Sequence, residues 1–276
     1  MRAFLVINPH SGDDDPTPDD LVQAAKAHGV DTHLLRPGDD AAELARASGA
    51  SVLGVAGGDG SLAPVAQVAI ELDAAFVCIP FGTRNHFARD VGLDGNDPLA
   101  ALAAFDDDAV ERRVDAASVG GRVFLNNLSF GAYAALVHRR ERHRRRGEML
   151  ARARAILLTA RHRHRVHARV NGEELAARVL LIGSNRYDIQ LFTLGQRPRV
   201  DGGELQLWAA AGWLRHTWQE RIAPKFTIEL EAPRVRAAAD GEPVTLEQPL
   251  VLESLPRALR LRLPRTLASS VEKDED

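Results

Sequence analysis

A glycine-rich turn is the part of this sequence whose residue types and spacing most directly suggest chemistry. The apolar run 52–56 leads into Gly57-Gly58-Asp59-Gly60-Ser61, and a helical pattern follows from Leu62. In an open α/β sheet, ligands bind where strands end, and the amides of a helix N-terminus attract anions. The glycines let the backbone approach a phosphate, Ser61 can cap the helix, and Asp59 can hold Mg²⁺ through water. The turn therefore predicts a phosphate site, with a tight structural turn as the alternative.

A second polar segment follows the next apolar run, 75–79, and again precedes a helical pattern. It reads Pro80-Phe81-Gly82-Thr83-Arg84-Asn85-His86-Phe87-Ala88-Arg89. Adjacent parallel strands bring such loops together, so Thr83 could donate its hydroxyl to a phosphate while Arg84 or Arg89 supplies positive charge. Taken alone, the segment is better explained by Thr83 as a helix N-cap and Arg89 as a solvated arginine.

The elements that must position these loops are apolar runs separated by helical patterns. Over the first hundred residues, runs typical of strands buried on both faces alternate with helices of about ten residues, which predicts parallel strands joined by crossovers. After residue 106 the segments become short and β-like, and Asn171-Gly172 signals a hairpin between 166–170 and 176–182. The sequence therefore predicts an α/β plus all-β protein. A doubly wound α/β domain at 1–110 precedes an antiparallel β-sandwich at 111–263, and the segment near 264–276 is a candidate to return to the first domain.

Composition narrows the class of protein. The 276-residue chain is 45% hydrophobic, contains no run long enough for a spanning helix, and begins too abruptly for a signal peptide, which predicts a cytoplasmic globular protein. Its one cysteine, Cys78, lies in an apolar run and is expected to be buried. Only three residues are lysines, so a phosphate must be met mainly by arginine, backbone amides or a metal ion.

Four motifs in order resemble those of the diacylglycerol kinase catalytic family. They are Asn8-Pro9-His10-Ser11-Gly12, Gly57 to Ser61, Pro80 to Asn85, and Asp240-Gly241-Glu242. This family includes bacterial lipid kinases and sphingosine kinases and is related to NAD kinases and phosphofructokinases. The resemblance spans about Ala3 to Pro264. It implies an ATP- and Mg²⁺-dependent kinase that phosphorylates a lipid hydroxyl, such as that of diacylglycerol, with the second domain binding the lipid.

The resemblance also implies roles for individual residues. Those expected to contact the nucleotide are Asn8, Ser11, Gly57, Gly58, Asp59, Gly60, Ser61, Leu62, Ala63 and Thr83. Glu242 would act as the catalytic base, and Asp240 could share or assume that role, although the turn also reads as a simple hairpin. Asp201 resembles a site for a further Mg²⁺, and Asp115 matches an aspartate of a water-linked carboxylate network with Asp59.

Two positions depart from the family pattern. His86 stands where an aspartate is usual, and Leu34 stands where the family tends to have a nucleotide-contacting threonine. These changes suggest an altered substrate or a weakened kinase, so a nucleotide- or lipid-binding protein without turnover is one alternative. A soluble-substrate kinase of the NAD kinase type is another, but the segment from Gly82 to Asn85 is of the lipid-kinase kind.

The interval from Arg139 to Arg169 contains twelve arginines and two glutamates. The first interpretation is a long loop followed by a helix from about Glu148 to Arg161, with the charged side chains facing solvent. Peripheral contact with anionic lipid at the inner membrane surface is the second. Nucleic acid is not an expected partner, because Tyr187 is the only aromatic residue between Ala134 and Phe192. The sequence leaves open whether the chain forms a homodimer.

Overall fold

The computed structural model describes residues 2–12, 15–131, 166–187, 189–190, 193–194, 197–211 and 218–267. The chain divides into two units. Unit 1 comprises Met1–Ala116, Tyr187–Gly202 and Leu255–Asp276, and unit 2 comprises Ala117–Arg186 and Gly203–Ser254. The arginine-rich interval lies outside the described residues except for 166–169, as does the helix expected within it. Within the described ranges, no helix has both the length and the apolar character needed to cross a membrane.

Unit 1 is built on a parallel sheet. Its first elements are β1 (Ala3–Ile7), α1 (Pro18–Ala27), β2 (Asp31–Leu34), α2 (Ala41–Ser48), β3 (Val52–Gly57), α3 (Asp59–Leu72), β4 (Ala75–Pro80) and α4 (His86–Asp90), followed by a 3₁₀ helix at Ala100–Phe105. The strands lie in the order β2-β1-β3-β4, all parallel. Every residue of β3 and of β4 is buried, as expected for strands covered by helices on both faces.

Capping side chains account for where helices α1 and α2 of unit 1 begin. Thr17 and Asp20 form a capping box at α1, and the Asp40 carboxylate accepts the first amides of α2. The start of α3 differs from the prediction. Gly58, in extended backbone, is the N-cap, so the helix begins at Asp59 rather than Leu62, and Ser61 lies inside the first turn instead of capping it.

The remaining strands follow in chain order. They are β5 (Val110–Val119), β6 (Arg122–Phe124), β7 (Asn127–Gly131), β8 (Val166–Val170), β9 (Glu173–Ala177), β10 (Val179–Ser184), β11 (Ile189–Gln190), β12 (Thr193–Leu194), β13 (Leu205–Ala210), β14 (Trp218–Ala223), β15 (Lys225–Leu230), β16 (Arg234–Ala239), β17 (Glu242–Glu247) and β18 (Leu250–Leu263). The last part of β18 pairs in parallel with β4 of unit 1, with Arg260 opposite Ala75.

Unit 2 is a sandwich of antiparallel strands. One sheet has the order β14-β13-β10-β7-β16-β17, and the other joins β18, β15, β8 and β9 with the β5–β6 hairpin beside them. A single core contains side chains of both sheets, among them Phe124, Phe226 and Leu252 from one and Phe130, Ile182 and Leu207 from the other. The predicted class, a doubly wound α/β domain followed by an antiparallel sandwich, is confirmed.

The hairpin signal at Asn171-Gly172 is correct, but its second strand is shorter than predicted. Both residues have positive φ angles, 50° and 85°, as a two-residue turn of this kind requires, and they join β8 to β9. The predicted strand 176–182 is divided at Arg178, whose amide donates to the Ala210 carbonyl. Residues 173–177 therefore pair with β8, while those from Val179 enter the other sheet.

Candidate active site

The switch point of the parallel sheet lies between β1 and β3. The chain moves outward from β1 to β2 on one side and from β3 to β4 on the other, so a crevice is expected where β1 and β3 end. Asn8 follows β1 directly, and its amide donates to the Ala56 carbonyl at 2.9 Å. The Asn8 Nδ2 donates to Ser61 Oγ at 3.0 Å. The first two sequence motifs therefore meet at the place where open sheets bind ligands.

Glycine lets the loop after β4 join the same cluster. A Cβ atom on Gly82 would lie 2.4 Å from the Cα of Gly58, and one on Gly12 would lie 2.1 Å from Cζ of Phe81. The Phe81 amide also donates to the Gly57 carbonyl at 3.2 Å. A side chain at position 82 would force the two loop backbones apart, and one at position 12 would displace the Phe81 ring. The three motifs thus form one contiguous cluster within unit 1.

Asp59 connects the glycine turn to helix α4. Its Oδ2 accepts the amide of His86 at 3.1 Å, and its Oδ1 accepts the amide of Phe87 at 3.0 Å. Asn85, the N-cap residue of α4, makes no side-chain capping bond. The aspartate thus takes the place of a cap and fixes two loops of the cluster relative to each other.

Asn85 is a residue of this cluster to which the sequence reasoning gave no role. It is 5% exposed, its φ angle is 46°, and its Nδ2 donates to the carbonyls of Gly82 at 2.7 Å and Gly95 at 3.0 Å. The signal was present in the motif, because asparagine adopts the left-handed region more readily than most residues. Asn85 closes the loop that carries Thr83.

The other predicted nucleotide contacts differ in exposure. Thr83 and its neighbour Arg84 are exposed, whereas Ser11 and Ala63 are half-buried. Leu62 is 2% exposed, so its side chain belongs to the core of unit 1 and only its backbone could face a ligand.

His86 and Leu34, the two departures from the family pattern, lie at different places in unit 1. The His86 backbone is held by Asp59, and burial lowers the pKa of its imidazole, although the Asp59 charge raises it in part. The imidazole is therefore neutral near pH 7. Leu34 ends β2 and pairs with Ile7, where an apolar side chain offers no hydrogen bond to a nucleotide.

The three predicted metal residues are held in different ways. Asp59 accepts two backbone amides. Asp115 is 1% exposed and accepts the amide of Arg257 at 2.7 Å, and Asp201 lies 3.3 Å from Nε of Arg199 with a side chain 31% exposed. Among the described residues, no three histidine, cysteine, aspartate or glutamate side chains form a group that could hold a metal ion. Mg²⁺ that is bound mainly through nucleotide phosphates needs only one or two protein carboxylates.

In unit 2, the turn at 240–242 joins β16 to β17 and presents its two carboxylates differently. Asp240 is 6% exposed, and its carboxylate accepts the amides of Leu125, Asn126 and Asn127 at 2.8, 2.7 and 3.0 Å. Asp240 itself has a φ angle of 48°, and the side chain of Glu242 is exposed. Asp240 therefore anchors the turn within unit 2, and Glu242 is the more exposed of the two carboxylates.

Comparison with known proteins gives a consistent result for the first part of the chain. Residues 2–119 match the profile of the family described as the diacylglycerol kinase catalytic domain. A probable YegS-like lipid kinase of Pseudomonas fluorescens is 38% identical over 118 residues, which span 40% of this chain and 38% of that protein. A probable YegS-like lipid kinase of Pseudomonas aeruginosa is 40% identical over 91 residues, 32% of this chain and 29% of that protein. Well under half of each relative is covered.

The fold is similar to that of solved structures over nearly the whole length. The crystal structure of a diacylglycerol kinase from Bacillus anthracis superposes with a TM-score of 0.69, covering 96% of this chain and 98% of that one at 19% identity. At this identity the similarity establishes the fold alone.

Proposed function

Because residues 2–119 of this chain belong to the diacylglycerol kinase catalytic family, we propose that the protein is an ATP- and Mg²⁺-dependent lipid kinase. It would transfer the γ-phosphoryl group of ATP to a lipid hydroxyl such as that of diacylglycerol. The observation that carries the proposal is the meeting of three motif loops at the switch point, where Asn8 Nδ2 and Ser61 Oγ are 3.0 Å apart. The named activity of the relatives supports the lipid as acceptor.

In this proposal, unit 1 binds the nucleotide through its backbone. Helix α3 begins at Asp59, and backbone amides at a helix N-terminus stabilise phosphate charge. Ser61 and Thr83 supply hydroxyl donors, and the exposed Arg84 supplies positive charge without a lysine. Mg²⁺ bound with the nucleotide would neutralise charge on the phosphate oxygens, and Asp201 is the residue that we propose to hold it.

Glu242 is the proposed catalytic base. It would accept the proton of the lipid hydroxyl while the hydroxyl oxygen forms a bond to the γ-phosphorus and the bond to the β,γ-bridging oxygen breaks, which releases ADP. Glu242 is favoured over Asp240 because the Asp240 carboxylate already accepts three backbone amides. Asp240 would fix the turn that carries the base.

Contact with the bilayer belongs to the same proposal. A kinase whose acceptor lies in a membrane must approach the lipid surface, and clustered arginines provide attraction to anionic headgroups. We propose that the interval from Arg139 to Arg169 contacts the cytoplasmic face of the inner membrane.

A vesicle assay tests the function. Purified protein with Mg²⁺ and labelled ATP is added to phosphatidylcholine vesicles containing diacylglycerol, and the lipids are analysed by mass spectrometry. We expect labelled phosphatidic acid and an equal amount of ADP. Vesicles without diacylglycerol and the Asp59→Asn variant serve as controls that give none. Absence of phosphorylated lipid across a panel of diacylglycerols, sphingosines and ceramides would contradict the proposal.

A nucleotide-binding protein without turnover is a second candidate, favoured by one observation. His86 provides a neutral imidazole where the family usually has a carboxylate. Calorimetry would then show ATP binding while no ADP forms with any lipid.

Adding NAD and sugar phosphates as acceptors in the same assay tests a soluble-substrate kinase, which would phosphorylate one of these and leave the lipids unlabelled.

A further inference from the structure

We propose that Arg197 is a positioning residue for the nucleotide site, acting through helix α4 and Asp59 on the glycine turn. The inference rests on the proposed function, because it names the contacts that fix the turn to which the nucleotide would bind. Arg197 lies in the segment Tyr187–Gly202, which belongs to unit 1 although it is remote in sequence from the motif loops.

Arg197 and Asp90 form a buried, two-point ion pair. The Arg197 Nε donates to Asp90 Oδ2 at 2.7 Å, and the Arg197 amide donates to Asp90 Oδ1 at 3.2 Å. The side chains are 1% and 4% exposed. The guanidinium also lies over the rings of Phe87 and Tyr187, 5.8 and 5.3 Å from their centroids. Ionic and cation–π contacts therefore fix this side chain in one position.

Helix α4 depends on these contacts for its placement. It has only five residues, far too few to form a stable helix without tertiary support. Arg197 contacts Phe87 in its first turn and Asp90 at its end, while Asp59 accepts the amides of His86 and Phe87. A continuous series of contacts thus leads from Arg197 through α4 to the Asp59 carboxylate.

The desolvation cost of a buried ion pair indicates that this pair orients helix α4 more than it stabilises the fold. Removing two charges from water costs several kcal/mol per ion, and apolar residues of similar size often stabilise a fold equally well. Apolar side chains would not fix the orientation of α4 by directed hydrogen bonds. The pair at Asp90 and Arg197 therefore specifies where the His86 and Phe87 amides lie, which sets the position of Asp59.

The same segment has a second attachment within unit 1. The amide of Asp115 donates to the carbonyl of Val200 at 2.8 Å. Asp201, the proposed Mg²⁺ residue, follows directly in sequence. Anchoring at Arg197 therefore constrains the backbone that carries Asp201, as well as the helix that holds Asp59.

The test is the double variant Arg197→Met/Asp90→Leu, which removes both charges of the pair. Hydrogen–deuterium exchange of residues 82–91 is measured without nucleotide, ADP affinity is measured by calorimetry with Mg²⁺, and stability is measured by urea unfolding. We expect exchange in 82–91 to accelerate about tenfold, and the dissociation constant of ADP to rise by a similar factor. The urea midpoint should change little, because removing the two buried charges offsets the lost acceptor of the Arg197 amide.

The matched control is Arg46→Met/Glu71→Leu. This pair joins α2 to α3 with side chains 51% and 42% exposed, and its removal should leave exchange in 82–91 and ADP affinity as in the wild type. Should the first double variant unfold, Arg197→Lys, which keeps the charge but loses the planar fork, carries the test under the same measurements.

The outcomes separate the two proposals. Unchanged exchange in 82–91, or faster exchange without loss of ADP affinity, overturns the role of Arg197. If the wild-type protein binds no ADP or ATP, the proposed kinase function fails. The exchange measurement then still reports whether Arg197 holds α4.

Discussion

Asp59 and Asp240 both lie in glycine-containing motifs that follow a strand, yet their carboxylates are used differently. Asp59, in unit 1, is half-buried and accepts two amides from the helix that follows the next strand. Asp240, in unit 2, is 6% exposed and accepts three amides from residues 125–127. Asp59 connects two loops of one candidate site, whereas Asp240 fixes the turn on which Glu242 is carried.

The difference shows that a motif aspartate can serve a site by bracing it. In each motif the carboxylate satisfies backbone donors of a separate segment, and neighbouring groups are the ones that we propose to meet a ligand. Those groups are the glycine backbone in unit 1 and the exposed side chain of Glu242 in unit 2. The comparison therefore separates positioning from chemistry within both motifs.

The largest expected effect concerns Glu242. If it is the base, Glu242→Gln should lower the turnover number by about 10²–10⁴-fold, since an amide cannot accept the proton. The urea midpoint should not change, because the side chain is exposed. Glu247→Gln, an exposed glutamate on the same strand, is the control and should keep full activity. Wild-type turnover in Glu242→Gln would exclude this residue as the base.

Substitution of Asp240 should reduce stability, the property that Glu242→Gln leaves unchanged. Asp240→Ala leaves three amides, two of them buried, without their acceptor, which should destabilise unit 2 by about 3 kcal/mol in urea unfolding. Glu242→Ala, two residues away and exposed, should cost less than about 0.5 kcal/mol. Equal stability of the two variants would show that Asp240 does not anchor the turn.

The close approach of loops in unit 1 gives a smaller effect. Gly82→Ala places a Cβ 2.4 Å from the Gly58 backbone, so the loops must separate, at a cost of about 1–3 kcal/mol in unfolding free energy and with weaker ADP binding. Gly95→Ala is the matched control, because its Cβ would meet Arg89 at an ordinary 3.6 Å. If both variants bind ADP as the wild type does, the loop contact is not part of the site.

The smallest effect is the pH dependence contributed by His86. Because burial lowers its pKa in the folded protein, the unfolded chain binds the proton more readily as the pH falls through the ordinary histidine value of 6.5. Stability should therefore decrease below that pH more steeply in the wild type than in His86→Asn. Urea unfolding at about pH 7.5 and about pH 5.5 measures the difference. If the wild type and His86→Asn lose the same stability between these two pH values, His86 does not contribute to the pH dependence.

The sequence was informative wherever the signal was local. Buried apolar runs predicted β3 and β4, and Asn171-Gly172 predicted its turn because both positions need a positive φ angle. Predictions failed at boundaries. The start of α3 at Asp59 depends on the extended backbone of Gly58, and the division at Arg178 depends on which sheet each half of the run joins.

Sequence alone determined the family resemblance, the fold class and the loops in which the candidate phosphate-binding residues stand, because short-range order, glycine placement and apolar periodicity are properties of neighbouring residues. Tertiary structure alone decided what the carboxylates do. Asp59 finds its amides 27 and 28 positions away, Asp240 more than a hundred away, and Asp90 meets Arg197 across 107 positions. No local pattern records such pairings, since they arise only when packing brings distant segments together and leaves buried donors and charges to be satisfied.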